Sequence, residues 1–233
     1  FGIQFDDFIR TTEARHRVAV ETLFRKIDEA GDLYQAPYEG LYCVSCEAYY
    51  TEDELVDGMC PIHGRPVERM VEENYFFRLS AYADRLLEHY ETHPKAVQPE
   101  TRRNEVLSLI RGGLQDFSIS RTNFRWGIPL PWDPNHVCYV WFDALTNYIT
   151  AAGYGTDEER FARVWPADVH LIGKDILRFH AVYWPAMLMA GGVEPPDQVW
   201  AHGFLTVGGQ KMSKTNATGI HPFELTEHFG VDS

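Results

Sequence analysis

The chain has 233 residues, with 21 Lys and Arg against 34 Asp and Glu, a formal charge of −13. Apolar residues make up 45% and charged residues 24%, which is ordinary globular usage and excludes a disordered or collagen-like chain. The acidity also excludes a coat protein that holds nucleic acid by bulk positive charge. One or two domains fit this length.

In chain order, residues 12–30 read as an amphipathic helix. Val20, Leu23, Phe24 and Ile27 recur at i, i+3, i+4 and i+7, and Gly31 is a stop signal. The rhythm is lost over 41–70, where Cys43, Cys46 and Cys60 cluster. Helical spacing returns over 79–92 (Tyr82, Leu86, Leu87, Tyr90) and 100–111 (Val106, Leu107, Ile110), the latter closed by Gly112 and Gly113. Three prolines and a glycine mark 124–135 as a connector.

Beyond the connector the pattern alternates. Val137–Phe142 is expected as a strand, followed by a helix capped by Asp143, running through Ala152 and closed by Gly153. Val169–Ile172 follows as a second strand, Lys174–Ala190 as a helix and Val199–Phe204 as a third strand. Strand, helix, strand, helix, strand predicts a parallel sheet with right-handed crossovers, half of a doubly wound nucleotide-binding α/β fold. Ligands of such folds sit beyond the carboxyl ends of the strands, here near 141–144, 173–175 and 202–204. The longest uncharged apolar stretch, Ala181 to Val193, is 13 residues and too short for a bilayer, so no membrane partner is expected.

Two motifs carry chemistry. Cys43-x2-Cys46, thirteen intervening residues, then Cys60-x2-His63 present three thiolates and one imidazole as two close pairs. That donor set completes a tetrahedral zinc shell with no open position, so one structural Zn2+ is expected to hold a knuckle over 40–70. Cys138 stands without partner spacing and reads as a buried thiol. The second motif is Lys211-Met-Ser-Lys-Thr215 after Gly208-Gly209, inside a stretch from Gln198 to Phe223 without an acidic residue. Two ammonium groups on a glycine-rich loop suit a polyphosphate undergoing attack. It is not a Walker A loop.

Lys211–Thr215 resembles the KMSKS signature of class I aminoacyl-tRNA synthetases, with Thr215 where Ser is usual. Three further segments narrow the resemblance to the methionyl-tRNA synthetase family: Glu100-Thr-Arg-Arg-Asn-Glu-Val106, Tyr139-Val-Trp-Phe-Asp-Ala-Leu-Thr-Asn-Tyr148 and Ile172-Gly-Lys-Asp-Ile-Leu-Arg-Phe-His-Ala-Val-Tyr-Trp-Pro185. The likeness runs from about residue 1 to 230. It implies a Rossmann-like class I synthetase fold with an inserted zinc-knuckle connective domain. The implied organisation is the end of the first catalytic half at 1–33, the insertion at 34–134, the second half at 135–204, and the lysine loop with the start of a helical region at 205–233.

The resemblance places the methionine pocket on Trp141, Ala144, Leu145, Tyr148, Ile176, His180 and Trp184. Helical spacing agrees, since 144, 145 and 148 share one helix face and 176, 180 and 184 another. Aromatic rings suit a thioether, and the polar tips of Tyr148 and His180 are expected to offer hydrogen bonds near the sulfur. ATP, accompanied by Mg2+, falls to Gly173, Asp175, His202, Gly203 and the backbone near Val207, with Lys211 and Lys214 on the phosphates; Lys214 is ranked first as the catalytic residue.

The implied activity is that of a cytoplasmic methionine–tRNA ligase, with L-methionine, ATP and tRNA(Met) as partners. The family's His-x-Gly-His string does not occur in these residues. The stretch therefore reads as the middle of the enzyme, expected not to complete adenylation alone. A truncated paralogue that binds methionine, ATP or tRNA without chemistry is the alternative. A leucine or valine enzyme would need a far longer editing insertion than the linker here.

Overall fold

The computed structural model describes residues 2–44, 48–50, 52, 55–61, 64–122, 125–212 and 219–231. Helix α1 (Ala14–Glu29) begins two residues later than the spacing predicts and buries His16, Ala19, Val20, Leu23, Phe24 and Ile27 along one face. Each large apolar side chain buried this way contributes about 1.5–3 kcal/mol relative to exposure. Strands β1 (Leu33–Cys43) and β2 (Ala48–Tyr50) form a hairpin, and β3 (Glu68–Phe77) pairs antiparallel along β1 from Leu33↔Phe77 to Tyr42↔Glu68. A 3-10 turn (Leu79–Tyr82) leads into α2 (Ala83–Thr92), then β4 (Val97–Gln98) and α3 (Glu100–Arg111). Two short strands follow, β5 (Phe117–Ser118) and β6 (Ser120–Arg121). The first sheet is ordered β2-β1-β3-β5.

The expected strand over Val137–Phe142 is corrected by the structure. Only Val137–Cys138 is extended, as β7, and it pairs antiparallel with β6. Helix α4 already begins at Val140 and runs to Ala152. Tyr139 holds the N-cap position, so Asp143 does not cap; it lies in the first helical turn, where a carboxylate is favoured by the helix dipole. Gly153 closes the helix as expected. Its φ is +110°, and a Cβ there would lie 2.7 Å from the Asp157 carbonyl oxygen.

After α5 (Glu158–Val164), strand β8 (His170–Gly173) leads to a helical segment that is not one continuous α-helix. Lys174–Ile176 is a 3-10 turn, Phe179–Tyr183 a π turn, and Trp184–Ala190 the α-helix α6. The Trp184 N–H reaches back five residues to the Phe179 carbonyl, and a π turn of this kind inside a helix frequently marks a functional site. Strand β9 (Val199–His202) ends two residues before the expected Phe204. A hairpin, β10 (Thr206–Val207) and β11 (Gln210–Lys211), and helix α7 (Pro222–Phe229) complete the described elements.

The parallel sheet is therefore ordered β4-β9-β8. One of its three strands is Val97–Gln98, while 137–142 takes no part in it, so residues expected in the inserted stretch 34–134 join the parallel sheet. Phe24 of α1 stacks on Phe142 of α4 with ring centroids 3.8 Å apart, joining both helices to one core with α6. Gly191 after α6 lies close against α1, where an added Cβ would lie 2.5 Å from Cδ1 of the buried Leu23 and force that side chain to shift. Among the described residues, no helix is long and apolar enough to cross a membrane.

Candidate active site at the carboxyl edge of the parallel sheet

Gly173 and His202 are register partners at the carboxyl ends of β8 and β9. The π turn after β8 carries Phe179 and His180 to the side of α4 that bears Trp141 and Tyr148, while Ile176, in the 3-10 turn before it, is half-buried against the core. Trp141 stacks on Phe179 at 3.7 Å between centroids, nearly parallel, and meets His180 edge-on at 6.4 Å. The Tyr148 hydroxyl lies 2.8 Å from His180 Nε2, and the Tyr148 ring is 6.3 Å from that of Trp184. The indoles of 141 and 184 thus lie on one cluster, bridged by Tyr148 and His180. Ala144 is half-buried on the same helix, while Leu145 and Trp184 are fully buried and form the layer behind.

Hydrogen bonding fixes the protons of this cluster. The Ile176 carbonyl only accepts, so His180 Nδ1, 3.0 Å away, carries the proton. Nε2 of the neutral ring is then the acceptor, and Tyr148 donates to it. Burial lowers the His180 pKa and raises that of Tyr148, so both stay neutral. The donors of Tyr148 and His180 are spent on Tyr148→His180 and His180→Ile176. The remaining surface is aromatic and poor in free hydrogen-bond donors, which suits a thioether better than a hydrated polar side chain.

A residue that sequence reasoning missed lies beneath. His170 is buried, its ring stacked on Tyr148 at 3.9 Å. The Trp184 indole N–H, which can only donate, points at His170 Nε2 over 3.2 Å. Burial, with the nearby His180 second, pushes the His170 pKa down to about 3. His170 is a neutral acceptor that fixes two pocket rings. The only sequence signal for it is its place as the first residue of β8. Phe179, Tyr183 and Phe117 were also missed. Phe117 stacks on Tyr183 at 4.3 Å and Tyr183 meets Phe179 at 5.3 Å, so the first sheet touches the same aromatic cluster.

At the strand ends, His202 is exposed and its Nδ1 lies 2.7 Å from the Gly203 carbonyl oxygen. The Asp175 carboxylate folds back over Gly173, where a Cβ would meet its Oδ1 at 2.7 Å. The Lys174 ammonium lies over the Phe204 ring at 4.7 Å and adds a cation that the sequence reading did not include. Val207 is half-buried on β10, which pairs with β11 through Gly208 and Gly209, both at positive φ. Such a two-residue turn demands residues tolerant of left-handed backbone, and Gly-Gly between two short strands was its unread signal. Lys211 lies in β11 opposite Thr206. Lys214, expected as the catalytic lysine, falls outside the described residues. On the expectation that ATP binds at this edge, Gly173→Ala, whose Cβ would displace a flexible carboxylate rather than backbone, should raise the ATP KM about tenfold and leave the thermal midpoint within a few degrees. Steady-state kinetics and calorimetry measure the two effects.

Two of the four expected metal donors, Cys46 and His63, also lie outside the described residues. Cys43 and Cys60 are both buried. Cys43 ends β1 at the hairpin, where it pairs with Ala48. Cys60 sits on a tight turn closed by Cys60 N–H to the Arg65 carbonyl (2.9 Å) and Gly64 N–H to the Cys60 carbonyl (2.8 Å). Among the described residues, no group of three or more His, Cys, Asp and Glu is placed to hold a metal. Cys138 is buried and its thiol pKa is raised by burial, as expected of an inert core thiol.

An aromatic cluster beside two parallel strand ends, followed by a lysine-bearing hairpin, is the organisation the lysine motif leads one to expect of class I synthetases. The profile of the family described as tRNA synthetases class I (M) matches residues 1–70 and 62–233, and the chain belongs to that family. Its relatives carry a more particular description. The methionine–tRNA ligase of Caldanaerobacter subterraneus subsp. tengcongensis is 56% identical over 99% of this chain and 36% of its own length. That of Streptomyces coelicolor is 56% identical over 98% of this chain and 44% of its own. Among solved structures, Mycobacterium tuberculosis methionyl-tRNA synthetase bound by methionyl-adenylate superposes with a TM-score of 0.89 at 53% identity, covering 99% of this chain and 46% of that one. The chain thus spans less than half the length of these proteins.

Proposed function

We propose that the protein acts as a methionine–tRNA ligase, activating L-methionine with ATP to methionyl-adenylate and passing the acyl group to tRNA(Met). The observation that carries this reading is the Trp141–Tyr148–His180–Trp184 cluster set beside the Gly173 and His202 strand ends. It gives a dry aromatic wall next to a place for a nucleotide. In the first step a carboxylate oxygen of methionine attacks the α-phosphate of ATP, the bond to the β-phosphate breaks, and pyrophosphate leaves. Bringing the two substrates together in line and stabilising phosphate charge accounts for most of such a rate enhancement.

In this reading Trp141, Ala144, Leu145, Tyr148, Ile176, His180 and Trp184 form the methionine side, with Leu145 and Trp184 supporting from behind. Gly173, Asp175, His202, Gly203 and Val207 form the ATP side, and Lys211 and Lys214 meet the phosphates of Mg2+-bound ATP. The cytoplasm is the compartment proposed, because charged tRNA is used there. Pyrophosphate exchange assayed with each of the twenty amino acids tests the assignment. Exchange dependent on methionine alone is expected, and equal exchange with leucine or isoleucine would overturn it.

We also propose a structural Zn2+ on Cys43, Cys46, Cys60 and His63. Buried thiols at a hairpin end and on a tight turn support it, as does a soft donor set of the tetrahedral kind. When bound, the ion would supply folding free energy to this short stretch. Elemental analysis is expected to find one zinc per chain. Cys60→Ser is expected to release it and to increase proteolysis within 40–70 while the parallel sheet keeps its hydrogen-exchange protection. Fresh protein without zinc would refute the proposal.

A further inference from the structure

On the other side of the first turn of α4 lies a cavity of about 350 Å3, lined by Thr11, Thr12, Arg17, Arg125, Trp126 and Asp143 among others. A second hollow of about 560 Å3 shares Arg125 and Gly127 with it, so the two form a trough on either side of Arg125. Trp126 is 74% exposed, an uncommon placement for the largest apolar side chain.

The charges of the trough are uneven in availability. Its two carboxylates are already paired: Glu13 with Arg15 at 2.7 Å, and Asp143 with the buried His16 at 2.6 Å. Its arginines remain available. Arg125 makes no ion pair among the described residues, and Arg17 holds only an exposed i, i+4 pair with Glu21. A flat exposed ring beside available guanidinium groups is the combination that binds single-stranded nucleic acid, with bases stacking on the ring and phosphates meeting the cations. The trough also abuts the methionine side, because Asp143 lies next to Ala144 and two residues from Trp141.

We propose that this trough receives the unpaired 3′ end of the tRNA, Trp126 stacking a base and Arg125 and Arg17 facing its phosphates. The inference rests on the ligase reading, since only the second step brings a terminal ribose to the pocket. It also reconciles a chain of formal charge −13 with a polyanionic partner, because the contact needs local rather than net charge.

The test uses the full-length protein with Arg125→Ala and Trp126→Ala. Two probes are compared: intact tRNA(Met), and the same tRNA trimmed of its unpaired 3′ end. Each substitution is expected to weaken binding of intact tRNA about tenfold, the scale of one lost stacking or phosphate contact. Trimmed tRNA should bind the variants and the parent alike. Methionine-dependent pyrophosphate exchange should stay within twofold, and Trp126→Phe should regain most of the binding. Unchanged affinity for intact tRNA in both variants overturns the proposal. So does an equal loss with trimmed tRNA, which would assign the trough to the stem or to a protein. Pyrophosphate exchange absent from the parent protein would overturn the ligase reading, while the binding comparison would still decide whether a 3′ end sits in the trough.

Discussion

Replacing Lys214 by alanine is expected to slow methionine-dependent pyrophosphate exchange by about 100-fold or more in the full-length protein, the scale of losing one preorganised donor to developing charge. Methionine binding should be spared, because the aromatic cluster stands on α4 and the helical segment after β8, not on the segment carrying Lys214. Lys211→Ala should cost less, Lys211 being the lysine ranked second. The discriminating measurement is the ratio of kcat to KM for ATP against that for methionine. A variant at Lys214 that exchanges at the parent rate removes this residue from the chemistry and transfers the role to Lys211 or Lys174.

Acid should loosen the pocket before it affects the carboxylates. His170 has a folded pKa of about 3 against an ordinary 6.5, because burial and the neighbouring His180 oppose its charge. Between these values the unfolded chain binds a proton that the folded chain does not. The contribution is therefore complete above pH 6.5 and is lost as pH falls toward 3. At pH 4.5 the loss from His170 alone is about 3 kcal/mol. His180, lowered by its own burial, acts in the same direction. The depressed carboxylates of Asp7 and Asp116 act only lower, below their ordinary 3.8. Urea unfolding at pH 7.5 and 4.5 should record this fall. His170→Phe should lose about 1–3 kcal/mol at neutral pH, since the Trp184 N–H then has no acceptor, and should flatten the acid slope. A slope as steep in His170→Phe as in the parent would refute the assignment.

The parts legible in the sequence were those with strong local signals. Helical periodicity at Val20, Leu23, Phe24 and Ile27 located α1, and Gly153 located the end of α4. Of the spaced set 176, 180 and 184, the last two meet Tyr148 in one cluster, although the path between them is a π turn rather than regular α-helix. The β-rich run Val137–Phe142 misled because Trp141 and Phe142 are aromatic and score as strand formers. Their partners Phe179 and Phe24 come from distant segments, and packing rather than propensity sets their conformation. The long β1–β3 pairing was missed because Pro37, Gly40 and several glutamates dilute the alternation that marks a strand. His170 and Trp126 could not be read at all, one because its role is to sit beneath other rings, the other because exposure is a property of the fold.

The placement of Val97–Gln98 has a mechanical consequence. This two-residue strand hydrogen-bonds to β9, the central strand whose end carries His202, and it is delivered by a chain segment returning from the antiparallel sheet. The return leg is thus stitched into the same fabric as the strand ends proposed to hold the nucleotide. Any swing of the antiparallel sheet as a block has to hinge in the chain outside Val97–Gln98, since a pull reaching those residues would break the seam they make with β9.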